Sequence, residues 1–195
     1  MASCPIGAIK APPIWREPLT WSKGPITTRA VGRALRVAGT IDLDALYRFE
    51  ILCFREHRFR RDHVDWILRN ERALTLVEDG PKKVTAAMML LFEGHTCRVL
   101  SVAVAPKARR HGIGTRMMQA AEAVCLERGL STIRLEVSTK NLVAIEFYRR
   151  LGYRTDGVLY GYYSWGEDAY SMHKAILPPS ASESSRPLTS AGHTT

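Results

Sequence analysis

The chain has 195 residues, 46% of them hydrophobic, and a formal net charge of +9. This length suits a single domain, and this apolar content is typical of globular proteins rather than of disordered or membrane-spanning chains. The longest apolar run, residues 84–92, is too short to cross a bilayer, so we expect no membrane partner.

The cysteines predict free thiols in the core rather than metal ligands. No pair of them has the spacing of a zinc site, and Cys97 and Cys125 fall on a predicted strand and a predicted helix. The first ten residues lack the charged and apolar regions of a secretion signal. We therefore expect a cytoplasmic protein without a bound metal.

The positive charge is concentrated in a few segments. It is dense before residue 40, in the loop 55–61 and in the stretch 107–116, whereas the rest of the chain is closer to neutral. A solvated basic surface explains this distribution, and the sequence patterns of nucleic-acid-binding folds are missing. We expect no specific DNA binding, while a transient contact with the ribosome stays open.

The two ends of the chain differ in composition from the middle. Residues 1–30 are basic, rich in Pro, Gly and Thr, and carry Trp15 and Trp21 without periodicity, which predicts a mobile arm. Residues 178–195 are rich in Ser, Thr and Pro with almost no apolar side chain, which predicts a disordered tail. The folded domain is expected between them, at residues 31–177.

The first half of the domain is predicted to contain one strand, two helices and then three strands. After a short strand at 33–37, a helix capped by Thr40 or Asp42 ends at Phe54, and Asp62 caps a second helix. The predicted apolar stripe of the first helix consists of Leu43, Leu46, Tyr47, Ile51 and Phe54. The three strands are expected at 73–77, 84–92 and 97–104.

The second half alternates helices and strands. Its predicted elements are a helix from Gly112 to its cap Gly129, a strand at 131–137, a helix from Asn141 to its cap Gly152, and a hairpin of 153–163 with 169–176. The strand–helix–strand succession from 97 to 137 implies one parallel pair, whereas the other neighbours favour antiparallel pairing. We therefore predict a mixed α/β domain.

A basic turn with two glycines joins the strand 97–104 to the helix that follows. Backbone N–H groups at a helix start, the helix dipole and the cations of residues 107–111 together attract an anion. Gly112 and Gly114 lack a Cβ, so a phosphate can approach the backbone closely. The turn lacks the Gly-Lys-Ser/Thr ending of an NTPase loop and the third glycine of a dinucleotide site, which leaves the ligand open.

Further motifs follow this turn in a fixed order: Leu135-Glu136-Val137, then Asn141, then residues 144–153 and 162–172. With the block from Val104 to Gly114, they resemble the GCN5-related N-acetyltransferases. The resemblance is to the branch that acetylates protein α-amino groups, which includes bacterial ribosomal-protein alanine N-acetyltransferases and catalytic subunits of eukaryotic N-terminal acetyltransferases. It spans about residues 40–177 and leaves out the arm and the tail.

The resemblance implies a single domain whose strands 99–104 and 132–137 run parallel but splay apart to admit acetyl-CoA. The pantetheine arm would lie between them, along the backbone of Val102, Ala103 and Val104. Asn141 would bind the cofactor arm from a helix start, a role compatible with capping that helix. The implied contacts of the pyrophosphate are Arg109, Arg110, His111, Gly112, Ile113, Gly114 and Thr115.

Acetyl transfer to an amine needs a neutral amine and a proton for the departing thiolate. An α-amino group has a pKa of about 7.7–8.0, so a weak base suffices. Glu136, in an otherwise apolar strand, is the candidate base, directly or through a water; the alternative is an edge carboxylate that faces solvent. The resemblance assigns the acid to Tyr148, whose alternative role is that of a core aromatic residue. A backbone N–H of residues 102–104 would polarise the thioester oxygen.

The resemblance also places the acceptor peptide between two walls. Tyr162 and Tyr163 would flank its N-terminus on one side, and the loop that begins at Phe54 would form the other side. Ser138 stands where many close bacterial relatives carry arginine, and Trp165 where a small or acidic residue is common. The basic residues after Phe54 would favour acidic N-termini, or RNA near a ribosomal substrate.

We therefore predict an acetyl-CoA-dependent N-acetyltransferase that acts on a protein N-terminus, with ribosomal proteins among the candidate acceptors. One alternative is acetylation of a small amine or of lysine on the same fold. Another is a non-catalytic acyl-CoA-binding or ribosome-associated module. The Tyr162-Tyr163 pair favours the peptide enzyme, and the presence of both Glu136 and Tyr148 argues against the non-catalytic alternative.

Overall fold

A computed structural model describes residues 35–81 and 83–176 of the chain. The predicted arm at 1–30 and tail at 178–195 lie outside these residues, as does the first part of the strand expected at 33–37. The α-helices of the described part are α1 (Leu43–Phe54), α2 (Arg61–Arg69), α3 (Ile113–Glu127) and α4 (Leu142–Arg150). The strands are β1 (Leu35–Val37), β2 (Ala73–Asp79), β3 (Val84–Glu93), β4 (Thr96–Val104), β5 (Thr132–Ser138), β6 (Arg154–Leu159) and β7 (Ala169–Ala175).

The strands form one mixed sheet in the order β1-β2-β3-β4-β5-β7-β6. β4 and β5 are parallel, and the other neighbours in this order are antiparallel. α3 connects the parallel pair, because parallel strands need a crossover that a hairpin cannot supply. The predicted mixed α/β domain with one central parallel pair is confirmed.

The helices bury two separate apolar clusters against the sheet. Leu46 of α1 and Ile67 of α2 belong to one cluster, together with Leu100 of β4. Met117 of α3 and Ile145 of α4 belong to the other. Adjacent strand residues enter opposite clusters, as the alternation of side chains in a strand requires. Among the described residues, no helix has both the length and the apolarity needed to cross a bilayer.

The buried face of α1 differs from the predicted stripe. Leu46 and Phe54 are buried as expected, but Phe49 and Glu50 are buried too, whereas Ile51 is 43% exposed. The reason is that α1 contacts α2 as well as the sheet, so its contact surface is turned away from the stripe that apolar residues alone suggest. A pattern that counts only apolar residues cannot place a carboxylate in the core.

The predicted caps of the first two helices are also corrected. Asp42 precedes α1, but its carboxylate accepts the Gly39 N–H at 2.9 Å and pairs with Arg36 instead of capping the helix. α2 begins at Arg61, and Asp62 lies in its first turn. Both carboxylates are therefore near a helix start, where the helix dipole favours acidic residues.

The caps of α3 and α4 match the prediction. Gly129 and Gly152, which follow the two helices, have φ values of +64° and +87°, a region where glycine has no steric penalty. The Oδ1 of Asn141 accepts the N–H of Ala144 at 3.2 Å and so caps α4.

β4 and β5 pair over only part of their length. Their ladder runs from Thr96 opposite Thr132 to Val99 opposite Leu135, and the remaining residues of the two strands are not paired with each other. On its other side β4 stays paired with β3 as far as Val104. The splayed ends leave a gap in the middle of the sheet, as the family resemblance implies.

Candidate functional site

A cavity of about 1020 Å³ opens where β4 ends and the basic turn begins. Seven of the predicted cofactor contacts line it: Val104, Arg109, Arg110, Gly112, Ile113, Gly114 and Thr115. The remaining four lie close to this wall in the chain, with Val102 and Ala103 buried on β4, His111 within the turn, and Asn141 at the start of α4. The structure therefore brings the contiguous turn residues to one surface.

The turn is held in shape by its own side chains and backbone. Arg110 and Gly112 both have left-handed backbone conformations, with φ values of 67° and 73°. The Nε of Arg109 donates to the carbonyl oxygen of Val104 at 3.0 Å, and the Nδ1 of His111 lies 2.8 Å from the carbonyl oxygen of Arg109. These contacts tie the turn to the end of β4 and hold the conformation of the backbone that is predicted to bind an anion.

The opposite wall of the cavity comes from α4, whose residues after the cap Asn141 the sequence did not assign to cofactor binding. Leu142 and Val143, in its first turn, are 72% and 62% exposed, although both are apolar. Phe147 follows one turn later and also lines the cavity. Two apolar residues on the outer face of a helix start were the available signal, because such residues are uncommon there unless a ligand covers them.

Gly114 lines the cavity where α3 approaches α4. A Cβ at this position would lie 3.4 Å from the Phe147 ring and 4.0 Å from a methyl group of Val104. Both distances are ordinary van der Waals contacts, so alanine fits at this position, whereas a longer side chain would meet the Phe147 ring.

Glu136 lies on the part of β5 that is paired with β7 but no longer with β4, and its side chain is fully buried. Its Oε2 pairs with the Nε of Arg98 at 3.1 Å, and its Oε1 pairs with the Nη2 of Arg134 at 3.2 Å. The expected apolar environment is thus a charged one, because the two arginines occupy paired positions of β4 and β5 beside it. Each oxygen of the carboxylate therefore has its own arginine partner.

Arg98 links this carboxylate to the predicted acceptor wall. Its Nη2 donates to the Tyr162 hydroxyl at 2.7 Å. Burial opposes the charge of Arg98, but the interactions with Glu136, Tyr162 and Glu93 together outweigh burial and raise the pKa of Arg98. Burial, reinforced by the charge of Glu136, raises the pKa of Tyr162 well above its ordinary value. Sequence reasoning missed Arg98, whose only signal was an arginine between apolar residues of a strand.

Tyr148 is buried on α4. Its ring lies 5.2 Å from that of Phe147 and 5.8 Å from that of Tyr153, measured between centroids. It shares an apolar cluster with Val102 and Val137, which belong to the two splayed strand ends. Its position is therefore next to the gap, on the side opposite to the helices α1 and α2.

The two predicted acceptor walls meet through aromatic rings. The His57 ring, after α1, lies 4.0 Å from that of Trp165, which stacks on Tyr163 at 4.5 Å with 17° between the planes. Tyr163 is buried beneath this stack, and Phe54 is buried in the cluster under α1. Tyr163 and Phe54 therefore lie beneath the surfaces of the two predicted walls. Tyr162 is half-buried and carries the hydroxyl that Arg98 binds.

Ser138 and Trp165, the two departures from the family pattern, both hold the loop between β6 and β7. The Ser138 hydroxyl donates to the Oε2 of Glu167 at 2.7 Å, and this bond holds the pKa of Glu167 below its ordinary value. Trp165 bridges the loop to His57. Within residues 35–81 and 83–176, no group of His, Cys, Asp and Glu side chains is arranged to hold a metal ion.

Comparison with known sequences identifies a family. Residues 43–153 match the profile of the acetyltransferase (GNAT) family. An N-alpha-acetyltransferase of Sulfurisphaera tokodaii is 38% identical over 97 residues, which are 49% of this chain and 56% of that protein. The catalytic subunit of the N-terminal acetyltransferase A complex of Arabidopsis thaliana is 29% identical over 73% of this chain and 77% of its own length. The chain thus spans little more than half the length of the archaeal relative.

Solved structures share the fold. Ard1 of Thermoplasma volcanium superposes with a TM-score of 0.66 and 26% identity, covering 74% of this chain and 97% of that one. A ribosomal-protein-alanine N-acetyltransferase of Escherichia coli superposes with a TM-score of 0.68 and 24% identity, over 76% and 96% of the two chains.

Proposed function

This chain belongs to the acetyltransferase (GNAT) family, and we propose that it transfers the acetyl group of acetyl-CoA to the α-amino group of a protein N-terminus. The observation that carries the proposal is the gap between β4 and β5, with a basic turn at one mouth and the buried Glu136 beside it. The names of the archaeal and plant relatives, an N-alpha-acetyltransferase and an N-terminal acetyltransferase subunit, support a protein acceptor.

The cavity fits acetyl-CoA in its size and its chemistry. Arg109, Arg110 and the turn backbone supply positive charge for phosphates, while Leu142 and Val143 supply apolar surface. Its volume of about 1020 Å³ is at the upper end of the range for small-molecule sites, as a long cosubstrate requires. Asn141, which caps α4, would hold the arm of the cosubstrate at the entrance to the gap.

The reaction we propose is a direct attack of the amine on the thioester carbonyl. The C–N bond forms, the C–S bond breaks, and the amine loses one proton while the thiolate gains one. Glu136 would take the proton, directly or through a water, and Tyr148 would supply the other. A carboxylate has about four lone-pair sites, so Glu136 can accept from the amine while both arginines remain bound.

The Glu136 carboxylate has a second use in this proposal. Because it already faces two guanidinium groups, the acceptor side of the gap is not strongly negative and does not trap the amine as an ammonium ion. An α-amino group, with its pKa near 8, is partly neutral at physiological pH, whereas a lysine side chain is almost fully protonated. This difference favours an N-terminus over lysine as the acceptor.

The test is acetylation of a peptide panel, with the modified atom mapped by mass spectrometry. The panel includes ribosomal-protein N-termini, acidic N-termini, N-terminally blocked peptides that contain lysine, and small polyamines. Acetylation of free α-amino groups alone is the expected result. Transfer only to lysine or to the small amines would refute the acceptor, and binding of acetyl-CoA with no transfer to any member would refute the enzyme.

A further inference from the structure

Glu50 is a buried carboxyl group that the reaction above does not use. It lies on α1, is 1% exposed, and is surrounded by the apolar cluster that contains Phe49, Phe54 and Leu100. This burial raises its pKa to about 7. A buried carboxyl group destabilises a fold relative to an apolar residue of similar size, so packing alone does not explain this residue.

The two oxygens of Glu50 bind two different elements. Oε2 accepts the backbone N–H of Phe59, at 3.2 Å, in the loop that leads from α1 to α2. Oε1 accepts the hydroxyl of Ser101 on β4, at 3.4 Å. One side chain therefore joins the proposed acceptor wall to the strand that would present the thioester.

Ser101 lies where β4 changes its path. In the pairing with β3, Met89 is opposite Ser101 and Leu90 is opposite Val99, so Leu100 is an extra residue in β4. Such a bulge bends its strand and puts two consecutive side chains on one face. Here Leu100 and the Ser101 hydroxyl both turn towards α1, and the pairing of β4 with β5 ends at Val99.

We propose that Glu50 is a positioning residue, which fixes the acceptor wall against the bend of β4 and so sets the distance between the bound peptide and the thioester. The inference rests on the proposed acetyl transfer. The loop from Arg55 to Arg60 has one short helical turn, and the buried ring of Phe59 anchors it in the apolar cluster under α1. The bond from the Phe59 N–H to Glu50 adds a directional link between this loop and β4, because the same carboxyl group binds Ser101. The same carboxyl group holds the bulge from which the gap opens.

The experiment compares Glu50→Leu with Glu50→Gln. Glutamine can still accept the Phe59 N–H and donate to the Ser101 hydroxyl, whereas leucine fills the space and binds neither. We expect Glu50→Leu to lower kcat/KM for the peptide about 100-fold, because a misplacement of about 1 Å costs that much, with little change in acetyl-CoA affinity measured by calorimetry. Glu50→Gln should retain most of the activity. Asp44→Asn, at an exposed carboxylate of the same helix, is the control.

Hydrogen exchange separates positioning from general loss of stability. In folded Glu50→Leu, backbone amides of residues 55–60 and 99–104 should exchange faster together, while those of α3 stay protected. Wild-type activity from Glu50→Leu, or an equal loss in Glu50→Leu and Glu50→Gln, would overturn the proposal. If the wild-type protein acetylates no peptide, the proposed function fails instead, and the exchange data alone still decide whether Glu50 couples the loop to the strand.

Discussion

The two sides of the β4–β5 gap are built in different ways. The proposed cofactor side consists largely of consecutive residues from Val104 to Thr115, and it offers backbone N–H groups, cations and apolar surface. The proposed acceptor side is assembled from side chains far apart in the chain, namely Glu50, Arg98, Glu136 and Tyr162, of which the two carboxyl groups are buried.

This contrast indicates different sensitivities to substitution. A backbone site depends on local conformation, so most single changes there should alter the affinity for acetyl-CoA by modest factors. A buried charged network depends on each partner, because removing one leaves another charge unpaired. Acceptor-side changes should therefore lower turnover strongly and leave acetyl-CoA binding intact.

The largest effect is expected for Glu136→Gln. Loss of the proposed base should lower kcat with a peptide acceptor by about 10²–10⁴-fold, while the calorimetric Kd of acetyl-CoA changes little. Glu122→Gln is the control, because it breaks a well-formed ion pair with Lys174 outside the acceptor side. If Glu136→Gln instead lost acetyl-CoA binding, the division between the two sides would fail.

The second-largest effect is expected for Tyr148→Phe. Turnover should fall by about 10²-fold or more while the affinity for acetyl-CoA stays unchanged, because the hydroxyl is assigned to proton donation. Tyr153→Phe is a matched control. Tyr153 is also buried, its ring is a neighbour of Tyr148, and its hydroxyl has no hydrogen-bond partner among the described residues. Equal losses of turnover in the two variants would show that the Tyr148 hydroxyl has a packing role only.

Glu50→Gln should change how stability depends on pH. Burial raises the pKa of Glu50 from 4.5 to about 7, so the folded protein binds more protons than the unfolded chain between these values. Stability of the wild type therefore falls as pH rises through this window, by up to about 3 kcal/mol from this group alone. Relative to the wild type, Glu50→Gln should gain stability from pH 4.5 to pH 8 in denaturant titrations. Parallel pH profiles would show that Glu50 binds protons equally in the folded and unfolded protein, so that burial does not raise its pKa.

The smallest effect is expected on the cofactor side, for Gly112→Ala. Gly112 and Gly129 are both left-handed, at +73° and +64°, so alanine at either should cost about 1–2 kcal/mol of stability. Only Gly112 lines the cavity, so only Gly112→Ala should also weaken acetyl-CoA binding, by up to about tenfold. Unchanged affinity would mean that the turn backbone does not bind the pyrophosphate.

The accuracy of the sequence-based predictions follows the same division. The strand, turn and helix around Gly112, the cap at Asn141 and the left-handed Gly129 were all predictable, because each depends on neighbours within a few residues. The stripe of α1 was not, because contact with α2 as well as the sheet decides which of its faces is buried. Leu142 and Val143 were overlooked because their exposure became informative only beside the cavity.

The sequence by itself determined the order of the elements, the basic turn, the helix ends and the family, since these are encoded in local spacing and short motifs. Only the tertiary structure decided that Glu136 is held between Arg98 and Arg134, and that Arg98 reaches Tyr162. It also decided that Glu50 joins the loop after α1 to the bend of β4. The physical reason is that the energy of a buried charge depends on the groups packed around it. Those groups come from parts of the chain that only the fold brings together.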